Sequence, residues 1–148
     1  DIGYAQSNRE RYEGFCQALT DAGKKVDSSL CLTTPLGIDT YREEIDTFLS
    51  SLSRMPDAFV CASDYVACIL MQLLEKRGLR VPEDVAVSGF DNNTEDLLAE
   101  HLTTVQVFNE ELGARLALQI LYRIKYPNTP HEITYLGTNV LYRDSTGD

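Results

Sequence analysis

A chain of 148 residues carries 13 basic and 23 acidic side chains, a formal net charge of −10, with 43% hydrophobic and 24% charged residues. These proportions suit one globular domain with its own core, and no run of about 18 apolar residues offers a membrane-spanning helix. The acidic balance repels a polyanion and no basic cluster overrides it, so the chain by itself is excluded as a nucleic-acid reader.

In chain order, Ser7 or Asn8 can cap a first helix over Arg9 to Ala22. Tyr12, Phe15, Cys16 and Leu19 fall on one face, and Gly23 ends it. Ser29 to Thr33 reads as a strand and Thr34 to Gly37 as a loop. Asp39 or Thr40 starts a second helix with Tyr41, Ile45, Phe48, Leu49 and Leu52 on one face. Ala58 to Ala62 is a short apolar strand ending at Ser63 and Asp64. A third helix spans Asp64 to Arg77, with Val66, Ala67, Leu70, Leu73 and Leu74 apolar. Gly78 can stop it in the left-handed conformation, and Pro82 prevents its continuation.

Val85 to Val87 reads as a buried strand, followed by Gly89, Phe90 and Asp91. Glu95 to Glu100 is a short helical turn, and Thr103 to Val107 is rich in strand formers. Asn109 can cap a fourth helix to about Lys125, carrying Leu112, Leu116, Ala117, Ile120, Leu121 and Ile124. Pro127 to Pro130 breaks the chain, and Glu132 to Leu136 and Thr138 to Tyr142 are further strand candidates. Strands alternating with helices predict parallel pairing through right-handed crossovers, in a three-layer α/β/α sandwich with a mostly parallel sheet.

Catalytic signatures do not emerge. The chain has no phosphate-binding glycine loop, no Gly-x-Ser-x-Gly elbow, and only two histidines, His101 and His131, without a patterned nucleophile. Cys16, Cys31, Cys61 and Cys68 are scattered among apolar neighbours, which predicts buried free thiols and offers no metal spacing. A binding site fits better. Arg11 lies in the first helix, Ser63 and Asp64 follow one strand, and Asp91 follows another. In open α/β sheets ligands bind just past the carboxyl ends of strands. A guanidinium, a hydroxyl and a carboxylate suit a neutral polyhydroxy ligand. Each also has a plainer reading: Arg11 as a solvated helix charge, Asp64 as a helix cap, Asp91 as a turn former.

The segment Val81 to Asn92 resembles the "G-L-x-V-P-x-D-x-x-V-x-G-F-D" stretch of the LacI/GalR family of bacterial transcriptional regulators, with Ser88 where that family is normally apolar. Four more pieces agree in order: Arg11 to Gly23, Pro56 to Ala67, Leu102 to Ala114, and the closing Leu141 to Thr146, which is similar to "V-x-R-x-S-T". The resemblance implies a type I periplasmic-binding-protein-like C-terminal effector subdomain over about 1–103 and 134–148, with a crossover excursion over about 104–133. It implies effector contacts from Arg11, Ser63 (where the family has Asn) and Asp91. The Thr34 to Gly37 loop falls where the family often places a ring-stacking aromatic; this sequence has none there, Tyr41 being the nearest.

It further implies no cofactor, a sugar or small-metabolite effector, and a homodimer with Cys68, Gln72, Leu97 and Leu98 in the contact. DNA would be met only through a helix-turn-helix domain outside this chain. The chain opens Asp1-Ile2-Gly3-Tyr4, without an initiator Met or secretory leader, and is expected to be part of a longer cytoplasmic protein. The runner-up is a periplasmic sugar-binding protein of the same fold, and an enzyme comes third. The fourth helix is expected either to fold back on its own sheet or to pack against a second copy, since its apolar face lacks a partner.

Overall fold

The computed structural model describes residues 2, 3, 5–37, 39–93 and 97–147, with Leu97 by its backbone alone. Helical periodicity becomes helix at all four expected places: α1 (Gln6–Asp21), α2 (Tyr41–Ser51), α3 (Asp64–Lys76) and α4 (Asn109–Lys125). α3 is the most deeply set, burying Ala67, Cys68, Ile69, Leu70, Leu73 and Leu74. Ile45 and Leu49 from α2 join this core, together with Val85, Val87, Ala99 and Leu102. Each large apolar side chain so buried stabilises the fold by roughly 1.5–3 kcal/mol relative to exposure.

Arg77 fastens α2 to α3. Its Nη1 lies 2.7 Å from Asp46 Oδ1, and its Nη2 donates to the Asp46 carbonyl and Ser50 Oγ at 3.1 and 3.0 Å. Gly78 then takes φ +74°, and the Leu79 N–H reaches back to the Leu74 carbonyl at 3.1 Å, the left-handed helix stop that the sequence predicts. In the following turn Asp84 accepts two side-chain N–H groups and the backbone N–H of Arg80, each at 2.9 Å. Those bonds hold the Asp84 carboxyl down at about 2.

The class is α/β with parallel pairing. β1 (Ala58–Val60) runs parallel to β2 (Ala86–Ser88), with Phe59 opposite Val87. Beyond β2, single parallel bridges join Ser88 to Thr103 and Asp91 to Gln106, which brings β3 (Thr104–Gln106) alongside. β3 pairs antiparallel with β4 (Asn139–Leu141). The closing Arg-x-Ser-Thr segment docks onto this array. Ser145, 2% exposed, donates from Oγ to the Val87 carbonyl at 2.6 Å and accepts the Thr103 N–H at 2.8 Å.

Several local expectations are corrected. Ser29 to Thr33 is not a strand: Asp27 Oδ1 accepts both the N–H and the Oγ–H of Ser29, and the chain curls into a 3-10 turn at Ser28–Leu30. Glu132 to Leu136 is irregular, with 132–135 exposed and Leu136 half-buried, and it joins no strand. α1 starts at Gln6 with no side-chain cap from Ser7 or Asn8, and Asn109 is the first residue of α4 rather than its cap. A 3-10 turn covers Leu97–His101, while Glu95 and Asp96 lie outside the described residues. Of the four free thiols only Cys68 is buried; Cys16, Cys31 and Cys61 are half-buried.

Cys68, expected in a dimer contact, is 3% exposed and packs inside the core of the single chain. Gln72 beside it accepts from Arg42 of α2, Leu98 packs partly into the core, and the side chain of Leu97 lies outside the described residues. α4 buries no residue, with Leu116 60%, Leu121 63% and Ile124 72% exposed. The expectation that it folds back on its own sheet is therefore overturned.

Gly89, between β2 and Phe90, leaves no room for a side chain. A Cβ there would collide with Asp64 Oδ1 and lie 2.9 Å from Leu102 Cδ2. Asp64 cannot swing aside without giving up buried hydrogen bonds to Thr104 and Asn93. Replacing Gly89 by Ala is expected to destabilise the fold by about 2 kcal/mol or more, the scale of overpacking a filled core; urea denaturation measures it.

Candidate functional site

Two parallel strands end side by side, and the chain beyond each carries the polar groups of the site. Past β1 come Ala62 and Ser63; past β2 come Phe90 and Asp91. α1 lays Arg11 across these ends. The less exposed positions of that helix (Asn8, Arg11, Tyr12, Phe15, Cys16 and Leu19) recur every three or four residues, so Arg11 belongs to the stripe facing the protein.

Three contacts fix the guanidinium. Nη1 donates to the Ala62 carbonyl at 2.5 Å, Cζ lies 3.6 Å from the Phe90 ring centroid, and Nη2 is 3.6 Å from Asp91 Oδ1. The first and second hold the head group still; a planar cation on an aromatic face contributes about 0.5–1 kcal/mol at an exposed site. The third is an open ion pair, too long for a hydrogen bond, with side chains 29% and 42% exposed. Pairs of this kind stabilise a fold little, and they leave donors and acceptors free to turn toward a ligand.

Asp91 is in an unfavourable setting. Partial burial raises its carboxyl above the usual range, Arg11 opposes that, and nearby Asp64 adds to it. Its backbone is strained as well, with φ +111° followed by Asn92 at +53°, where side-chain-bearing residues are uncommon. Positive φ and a desolvated carboxyl at a strand end are features that cluster at binding sites.

Of the expected site residues, Arg11 and Asp91 are brought together. Ser63 sits beside them in the chain path but serves as the N-cap of α3, with Oγ accepting the Val66 N–H at 3.4 Å. That bond uses a lone pair and keeps the hydroxyl proton available to donate. The cap is thus one residue earlier than expected. Asp64 is neither cap nor exposed ligand: it is 2% exposed, with Oδ1 accepting from Thr104 Oγ1 at 2.6 Å and Oδ2 from the Asn93 N–H at 2.8 Å. Tyr41 packs edge-on against Tyr65, ring centroids 5.7 Å apart. Phe90 is a contributor that residue-type reasoning passed over, although its place between Gly89 and Asp91 was the available signal.

Residues 2–146 match the periplasmic binding protein-like domain family. The chain is 34% identical to the HTH-type transcriptional regulator DegA of Bacillus subtilis over 76% of its length, and 34% identical to the HTH-type transcriptional regulator CelR of Thermobifida fusca over 92%. It spans only 33% and 40% of those relatives' own lengths. Among solved structures, a transcriptional regulator CelR–cellobiose complex superposes with a TM-score of 0.81 at 31% identity, covering 92% of this chain and 42% of that one.

The Asp91 setting gives a signed expectation. A carboxyl raised in the folded state stabilises the fold below its unfolded value, and that contribution is lost as pH rises through the folded value. Asn at this position removes the charge and tolerates positive φ better than Asp. Asp91→Asn is therefore expected to leave the melting temperature at pH 7 unchanged or higher, and its advantage over wild type should shrink toward pH 3. Thermal unfolding across that range checks both signs.

Proposed function

We propose that this chain, which belongs to the periplasmic binding protein-like domain family and corresponds to the effector-binding region of LacI-family regulators, senses a sugar or similar polyhydroxy metabolite for a transcription regulator. The observation that carries this reading is the open Arg11–Asp91 pair at the carboxyl ends of two parallel strands. Opposite charges at that spacing can fork onto adjacent hydroxyls, Arg11 donating and Asp91 accepting. Ser63 supplies a further donor from the start of α3. The similarity to the CelR–cellobiose complex supports a neutral disaccharide as the first ligand to try.

DNA recognition belongs to other parts of such a regulator. With a net charge of −10, this segment is not the one that grips phosphates. Its role is to bias a conformational equilibrium: a ligand that contacts one arrangement of the cleft more strongly than another shifts the population toward it. DNA binding in the cytoplasm is the readout. The regulator reading is favoured over a periplasmic transporter component because DegA and CelR are both transcriptional regulators.

The isolated chain is also expected to self-associate through α4. Glu110 and Glu111 lie in its first turn and Arg123 and Lys125 in its last, with Leu112, Leu116, Ile120 and Ile124 between them. Antiparallel pairing about a two-fold axis near Leu118 sets Leu112 against Ile124, Leu116 against Ile120, and Glu111 against Lys125 of the other copy. Light scattering of the whole chain should show a dimer at high micromolar concentration and a monomer for Leu116→Glu with Ile120→Glu, which sets like charges against each other across the two-fold axis.

For the site, calorimetric titration with cellobiose should show binding that Arg11→Ala weakens at least tenfold, about 1.4 kcal/mol. Equal affinity in wild type and variant would remove Arg11 from the site.

A further inference from the structure

Asp91 and Asn92 are consecutive residues at φ +111° and +53°. A left-handed pair without glycine persists only where its surroundings over-determine it. Here three successive backbone amides each have an acceptor. The Asp91 N–H donates to the Val105 carbonyl at 2.9 Å, the Asn92 N–H to Thr104 Oγ1 at 3.3 Å, and the Asn93 N–H to Asp64 Oδ2 at 2.8 Å. Thr104 in turn donates to Asp64 Oδ1, so these last two acceptors are locked to each other.

One side chain from the far end of the sequence closes the arrangement. Arg143 Nη2 donates to Asn92 Oδ1 at 2.8 Å, while its Nη1 donates to the carbonyls of Ala99 and Leu102, each at 3.0 Å. The Arg143 backbone is itself held, its N–H donating to Thr103 Oγ1 at 2.8 Å. A rigid planar fork can span these three acceptors at once; a lysine ammonium on a flexible stem cannot. Among the described residues, Arg143 meets the turn that carries Asp91 through Asn92.

We propose that Arg143 is a positioning residue for the ligand-binding carboxylate: by gripping the Asn92 side chain it keeps the turn after β2 in the conformation that aims Asp91 at Arg11. This rests on Asp91 being a ligand contact, but the grip on the turn is testable without any ligand. The affinity of the site depends on pre-organisation, and a loosened turn lowers it by the fraction of time the carboxylate is misplaced.

The test uses the whole chain and three variants. Arg143→Lys keeps the charge and loses the fork. Asn92→Gly removes the gripped side chain but accepts φ +53° without steric cost, so it stays folded even if Arg143→Lys does not. Asn92→Asp restores an acceptor for Arg143. Amide hydrogen exchange by NMR should quicken at least tenfold at 91–93 in Arg143→Lys and Asn92→Gly, stay within twofold at Phe59 and Val87, and return toward wild type in Asn92→Asp. Cellobiose affinity should follow the same order, falling at least tenfold and recovering. Unchanged exchange at 91–93 in Asn92→Gly, or equal quickening at the β1–β2 amides, would overturn the proposal. If wild type does not bind cellobiose, the ligand assignment fails while the exchange pattern still decides the role of Arg143.

Discussion

The carboxyl of Asp64 lies in the interior, against the bare Cα of Gly89, at the junction of three segments. A polar group in that place is costly unless its lone pairs are filled. Here Thr104 and the Asn93 amide fill them, and the group sits at the positive end of α3. One buried side chain thereby joins the start of α3, the turn after β2 and the first residue of β3. The rest of the site depends on that joint. Without it the ends of β1 and β2 would still pair, but the turn that carries Asp91 would be held only by the Asp91 amide and the Arg143 grip on Asn92.

This arrangement separates buried, satisfied groups from half-exposed, loosely paired ones. Asp64, Thr104 and the Ser145 hydroxyl are buried and satisfied, and they hold. Arg11 and Asp91 are half-exposed and loosely paired, and they are available. The split is physically required: a group that exchanges partners with a ligand cannot also be a saturated structural hydrogen bond. The strain at Asp91 is affordable only because the hydrogen-bonded frame behind it is complete, and no buried side-chain polar atom among the described residues lacks a partner.

Much of this was legible in the sequence where the signal is local. The helices announce themselves by apolar spacing, and the stop at Gly78 by the need for positive φ. The nearness of Arg11 and Asp91 follows from a helix start and a strand end that meet at one edge of the sheet, although their ion pair is visible only in the structure. What failed was decided elsewhere. Ser29 to Thr33 has strand-like residues, but Asp27 offers a competing local acceptor. Glu132 to Leu136 has strand-forming residues but lies mostly exposed and unpaired in the sheet, where β3 pairs with β4 instead. The grip of Arg143 on Asn92 spans 51 residues of sequence, and no periodicity or spacing rule reaches that far.

The central claim is that a small polyhydroxy ligand is met at the carboxyl ends of β1 and β2. The most direct measurement is an NMR titration of the isotopically labelled chain with cellobiose, following backbone amides and the arginine side-chain resonances together. The account predicts saturable shift changes centred on Arg11, Ser63, Phe90 and Asp91, with the α4 resonances unmoved. Saturable changes confined to α4 or to the far ends of the strands, with Arg11 and Asp91 silent, would contradict it.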